Sequence, residues 1–347
     1  MGKKQHYIPQ FYLKNFSSNS HKNIGVFRFE KQLYIPNAAI KSVAYRDNLY
    51  DDDNVIENEL ARMERDWKEL LDILLGRNVT NDTLKYLDQC GEEVVIQLFK
   101  FIAVTEVRTT QVGDSANFYF RSLERNIGKE MLPEVYEKYF GDIDNFEKHP
   151  NIIPLQVALK SISHFGGLDL IMIVNETKQS FLTSDVPVFN LNPYYVKRKF
   201  KRNFGLGSLG LQKLLPISEH LCICLYDRNV YTKTIKDSMY IIKSKRLVDR
   251  INRIIVQNAY EQIFFNPTEK ERYVRGLCRK RNGSDSKSSV IFYGKDKPEL
   301  IRFHHENIWN DLLLPCFAFK RDVLSLELPS HMGGLYRPEV EELIKET

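Results

Sequence analysis

Leu168-Asp169-Leu170-Ile171-Met172-Ile173-Val174 is the stretch on which the character of the chain turns. It is short, nearly all apolar and rich in branched side chains, with no repeat at helical spacing. It therefore reads as a buried strand. Asn175-Glu176-Thr177-Lys178 follows as a turn, and Ser180 to Leu182 reads as the returning strand of a hairpin. Leu211 to Leu215 and Leu221 to Tyr226 continue the strand pattern.

Upstream the periodicity is helical. Ile56, Leu60, Met63, Trp67, Leu70, Leu71 and Leu74 form one apolar stripe, which predicts a helix from about Val55 to Leu75. Asn54 is placed to cap it, Glu57 stands at the capping-box position, and Gly76 stops it. Further helices are expected from Glu92 to Arg108, from Ser115 to Phe140 and from Ile153 to His164, and beyond the strands from Leu247 to Phe264. Ile24 to Phe29 and Gln32 to Ile35 read as paired strands. The expected fold class is α+β: a helical middle section packed on a small, mostly antiparallel sheet. Residues 1–266 read as the main domain and 267–289, with Gly283-Ser284-Asp285-Ser286-Lys287-Ser288-Ser289, as a linker. Residues 290–347 read as a C-terminal subdomain or a wrap-around tail.

Composition narrows the function classes. The 347 residues suffice for a substantial core, and 18 Tyr with 21 Phe argue for ordered structure. A net charge of +5 permits a polyanionic partner without demanding one. Cys90, Cys222, Cys224, Cys278 and Cys316 are odd in number and scattered, which argues against a disulfide framework. Cys222 and Cys224 lack zinc-knuckle spacing and read as buried thiols. With no secretory leader and no run long enough to span a bilayer, the chain is expected to be cytoplasmic with no membrane partner. No HExxH, P-loop or Gly-x-Ser-x-Gly element occurs. Gly205-Leu206-Gly207-Ser208-Leu209-Gly210 has dinucleotide-loop spacing, but it follows a basic loop rather than a strand and reads as a flexible loop.

Four separated blocks carry a resemblance. They are His6-Tyr7-Ile8-Pro9-Gln10-Phe11-Tyr12-Leu13 with Phe16, the acidic helix from Ile56-Glu57 through Glu64, the helix running into Arg108, and Phe181-Leu182-Thr183-Ser184-Asp185-Val186-Pro187-Val188. In order and spacing they resemble the bacterial family catalogued as domain of unknown function 4238, over roughly residues 3 to 266, and Asn252 to Ala259 is similar to its closing helix. The family often carries Pro-Leu-Ser-Pro after the fourth block, where this chain has Leu215-Pro216-Ile217-Ser218-Glu219. Some members look like single-protein antiphage defence factors. The resemblance implies that role and no settled mechanism.

Each candidate residue for chemistry also has a structural reading. Pro9 suits the first position of a short helix over Gln10 to Phe16, which places His6 just before it. His6 is a candidate base or metal ligand, or a histidine that pins the N-terminus to backbone. Asp185 follows a strand, where a carboxylate can bind a metal or orient a base, or cap local N–H groups. Glu57 and Glu64 share a helix face, where paired acids could bind a divalent cation or do acid–base work; capping also explains the first and a solvated face the second. Arg108 could hold phosphate or pair with Asp185 or Glu64. Tyr194 to Phe204 interleaves aromatics with Lys197, Arg198, Lys199, Lys201 and Arg202, which suits stacked bases and phosphates, or a loop whose aromatics pack inward.

The expectation is an antiphage effector that acts on nucleic acid, nuclease-like in its chemistry, with His6, Asp185, Glu64 and Arg108 as catalytic residues. Gln10, Lys197, Arg198, Lys199, Lys201 and Arg202 would hold substrate. A divalent metal is possible and its ligands are unknown. The alternative is a non-catalytic sensor that recognises a phage component or nucleic acid and acts through a partner.

Overall fold

The computed structural model describes residues 4–18, 21–76, 91–131, 147–200, 204–279, 281, 288–293, 300–305, 310–326 and 335–346. The N-terminal part runs β1 (Lys4–His6), α1 (Gln10–Lys14), β2 (Asn23–Arg28), β3 (Leu33–Ala39), β4 (Tyr45–Asp47), α2 (Val55–Gly76), α3 (Glu92–Val107), α4 (Thr110–Met131) and α5 (Ile152–Lys160). Next come β5 (Leu168–Asn175), β6 (Thr183–Ser184), β7 (Phe189–Leu191), α6 (Pro193–Lys197), β8 (Gln212–Pro216), β9 (Leu221–Asp227), β10 (Tyr231–Lys233), β11 (Met239–Ile242), α7 (Lys245–Asn258), β12 (Gln262–Phe265) and α8 (Glu271–Cys278). The chain closes with β13 (Ser288–Tyr293), β14 (Leu300–His305), β15 (Phe317–Phe319) and α9 (Pro338–Glu346). This is an α+β fold, with helices gathered before and between small, mostly antiparallel sheets.

A five-stranded sheet has the order β11-β5-β9-β8-β7, and a four-stranded sheet the order β3-β2-β12-β6. Every residue of β9 is buried, so it occupies the middle of its sheet with both faces covered. Cys222 and Cys224 lie there as buried thiols, raised by burial and far from reactive. In α2 the predicted stripe buries Leu60, Trp67, Leu70, Leu71 and Leu74. Each such side chain contributes about 1.5–3 kcal/mol.

Several expectations are corrected. Asn54 lies in the left-handed region at φ 64°, and its side chain is not the cap of α2. Asp51 Oδ2 accepts the Ile56 N–H at 2.5 Å and Asp53 Oδ1 accepts that of Val55 at 3.2 Å. Pro9 precedes α1 in extended backbone rather than opening it. The predicted hairpin of residues 168–174 with 180–182 does not form. Strand β5 pairs with β9 and β11, and the backbone of Ser180 and Leu182 is held by the Asn252 amide instead. The helix expected to Phe264 stops at Asn258, and the aromatic run after it is β12. Helix α4 begins at Thr110; residues 132–140 of the expected helix lie outside the described residues.

The glycine loop Gly205–Gly210 receives the C-terminal segment. A Cβ at Gly207 would meet Val340 at 2.9 Å, and Leu209 N–H donates to the Leu335 carbonyl. Arg337 is fully buried; its guanidinium donates to the carbonyls of Gly166, Ser208 and His164. Strand β15 pairs with β10, while β13 and β14 form their own hairpin, of which residues 288 and 289 are part.

Candidate functional site

The N-terminal motif meets α2 and α3 at one buried arginine. Arg108 caps α3 and is 1% exposed. It donates from Nη1 to Glu64 Oε1 at 2.7 Å, from Nη2 to the His6 carbonyl at 2.6 Å and from Nε to the Tyr50 hydroxyl at 3.1 Å. Burial opposes its charge, but the Tyr50 hydroxyl and the Glu64 carboxylate raise its pKa further still. Gln5 ties the same corner together. Its Oε1 accepts the Tyr50 N–H at 2.6 Å and its Nε2 donates to Asp51 Oδ1 at 2.7 Å. The residue that caps α2 is thus held by the N-terminal strand.

His6 is half-buried in this corner, paired with Tyr45 across β1 and β4, ring centroids 5.8 Å apart. Burial and then the Arg108 charge lower its pKa, against the pull of Glu64, which favours the neutral imidazole. Among the described residues, His6 Nε2 and Glu57 Oε2 are buried atoms without a hydrogen-bond partner. Burial raises the Glu57 carboxyl, which feels the charges of Arg108 and Glu64 as His6 does. Glu57 Oε2 accepts no hydrogen bond, so the capping-box bond expected there is not made, and the carboxyl lies within the field of the Arg108–Glu64 pair. A neutral imidazole and a carboxyl held toward its protonated form are suited to a base and an acid.

Asp185 is placed differently. It is fully buried, with Oδ1 accepting the Tyr260 N–H at 2.8 Å and Oδ2 those of Glu261 and Gln262 at 2.5 and 3.0 Å. Burial pushes its carboxyl up to about 7 against these three donors. Asp185 does not reach solvent; it shapes the turn from α7 into β12. That turn lines a cleft of about 690 Å³ whose other walls include Tyr7, Tyr45, Arg46 and Arg28. Tyr7 bridges the two places, since it follows His6 and its hydroxyl accepts from Gln262 Nε2 at 2.8 Å. The structure thus gathers His6, Glu64 and Arg108 directly and links Asp185 to them through Tyr7 and Gln262.

The aromatics of the basic segment pack inward. Tyr194, Tyr195, Phe200 and Phe204 are buried, with Tyr195 edge-on to Phe200 and to Phe204. Arg198 donates to the Tyr194 hydroxyl and to the carbonyls of Val323 and Leu326. Lys197 and Lys199 are exposed, whereas Lys201 and Arg202 lie outside the described residues. Gln10, half-buried, opens α1.

Sequence reasoning missed Tyr50 and Gln5 as the partners that fix this corner, and Tyr45 as the ring beside His6. Only their nearness to the motif in the fold reveals them. Among the described residues no group of three or more His, Cys, Asp or Glu side chains is arranged to hold a metal ion, and no helix is long and apolar enough to cross a membrane.

No curated protein and no solved structure matches the chain. Residues 4–269 match a family described as "Protein of unknown function (DUF4238)". That span holds His6, Glu57, Glu64, Arg108 and Asp185, and the chain belongs to the DUF4238 family.

Proposed function

We propose that the protein is an antiphage effector that cuts nucleic acid, with the chemistry at the His6 corner. The observation that carries this reading is the unpartnered His6 Nε2 next to the Arg108–Glu64 pair, whose charges the Glu57 carboxyl, raised by burial, also feels. In the step proposed, His6 takes the proton of the attacking hydroxyl or water as its oxygen bonds to phosphorus. The P–O bond to the leaving oxygen breaks, and Glu57 supplies the proton that oxygen gains. Glu64, whose side chain is 24% exposed, faces the same corner. Arg108 and Asp185 act as positioning residues, since their polar atoms are engaged within the fold. The defence part of the reading is supported by the family resemblance alone.

The test is incubation of purified protein with DNA, RNA and tRNA, with Mg²⁺ or Mn²⁺, before and after exposure to an extract of phage-infected cells. Cleavage is expected, lost in His6→Ala at near-unchanged melting temperature. The absence of cleavage under every condition overturns the reading. A second reading, a non-catalytic sensor, is favoured by the full engagement of Arg108 and Asp185 in structural bonds. Under it His6→Ala leaves phage protection in cells intact.

A further inference from the structure

Helix α7 carries its charge the wrong way round. Lys245 and Arg246 stand in its first turn with Lys243 just before them, and neither an acid there nor a base in the last turn offsets them. Cations at a helix N-terminus oppose the helix dipole and are unfavourable for folding. Their placement is accounted for by what lies beside them. Two clefts, of about 740 and 400 Å³, share Lys245, Lys270 and Tyr273 in their walls and form one groove between the 176–180 turn, the 266–270 turn, α7 and α8.

Six cationic side chains line this groove: Lys178, Lys243, Lys245, Arg253, Lys270 and Arg272. All six belong to exposed residues. Of the carboxylates in the walls, Asp249 pairs with Lys245 and accepts from the Tyr273 hydroxyl. Glu269 accepts from Gln179 Nε2 and the Ser180 N–H, which leaves Glu176 as the carboxylate on the rim. Among the described residues, Lys178, Lys243, Arg253, Lys270 and Arg272 have no ion-pair partner within 4.0 Å. Such a field in a concave wall concentrates anions.

The walls are also rigid. Thr177 donates through both its N–H and its hydroxyl to Asn175 Oδ1, and Thr268 does the same to Asn266 Oδ1. These two matching turns fix the backbone beside Lys178 and Lys270, both of which line the groove, so little backbone freedom is lost on binding.

We propose that this groove binds the phosphate backbone of nucleic acid, independent of base sequence. The identity of the polymer rests on the nucleic-acid reading above; the cationic groove itself does not. It lies beyond the Phe265 end of β12, while the Asp185-held turn lies at the Gln262 end, about 10 Å away along the strand. Substrate held here would thus be gripped away from the His6 corner.

The test is fluorescence anisotropy with labelled single-stranded DNA and RNA oligonucleotides across a salt series, with inorganic tripolyphosphate as competitor. Wild type is expected to bind with an affinity that falls steeply with salt. Lys243→Glu with Lys270→Glu should weaken binding by at least about tenfold and flatten the log–log salt slope by about 1.4, two phosphate contacts at roughly 0.7 each. Lys178→Ala with Arg272→Ala, all on exposed side chains, should reproduce the loss if the first pair disturbs folding. Equal binding and equal slope in both pairs, or no oligonucleotide binding by wild type, overturns the groove. Capture of tripolyphosphate alone assigns it to small polyphosphates and overturns the polymer. Cleavage assays on the same proteins separate the two readings: binding through the groove without cleavage removes the nuclease reading, and cleavage unaffected by either pair removes the groove.

Discussion

Asp185 accepts three consecutive backbone N–H groups and touches no solvent. An asparagine there keeps the shape but has one accepting oxygen, and its amino group faces a donor. Asp185→Asn is therefore expected to destabilise the fold by about 1–3 kcal/mol. This reads as a lower urea midpoint with an unchanged slope; an unchanged midpoint refutes the capping role. His6 makes the opposite kind of prediction. Its pKa is held below 6.5 by burial and by Arg108, so the unfolded chain takes up a proton where the folded one does not. Stability contributed by the neutral ring is complete above about pH 6.5 and falls as pH drops from there toward the lower folded value. Urea midpoints taken between about pH 5 and 8 should show this loss in wild type, and His6→Gln should lessen it. Equal pH dependence in the two proteins contradicts the assignment.

At the scale of elements, what could be read from sequence was whatever depends on local periodicity. The stripe of α2 and the apolar runs of β8 and β9 were legible because burial on one face, or on both, leaves a pattern in neighbouring residues. The 180–182 segment was misread because its partner is a side chain, Asn252, seventy residues on. A polar residue on the buried face of an amphipathic helix signals such a clamp, but not what it grips. Glu57 was misread for a similar reason. Its spacing fits a capping box, yet its Oε2 is buried without a hydrogen-bond partner, and Asp51 and Asp53 accept the first N–H groups of α2 in place of the Asn54 side chain. The run Lys243-Ser244-Lys245-Arg246 was legible in principle, as a helix start with charges against its dipole. Asn252→Ala should loosen the segment it holds, and hydrogen exchange at Leu182 should quicken well beyond that at Cys224 in β9. Unchanged protection at Leu182 rules out the clamp.

At the scale of the whole molecule, distant stretches close on one another. Strand β12 pairs with β2 from the other end of the matched region, and the C-terminal segment seats in the Gly205–Gly210 loop. Such long-range pairings slow folding, because loop entropy is lost before contacts compensate. Arg337→Ala leaves three carbonyls without their buried donor and should free residues 335–346 to protease while the sheets stay resistant. Equal protease resistance in mutant and wild type counts against the latch. The same arginine has a consequence in time. A chain made from its N-terminus presents the His6 corner early, but the carbonyls of His164, Gly166 and Ser208 wait for a partner synthesised more than a hundred residues later. The finished architecture therefore dates from the emergence of Arg337 from the ribosome, so a nascent or truncated chain carries the motif without the closed molecule around it.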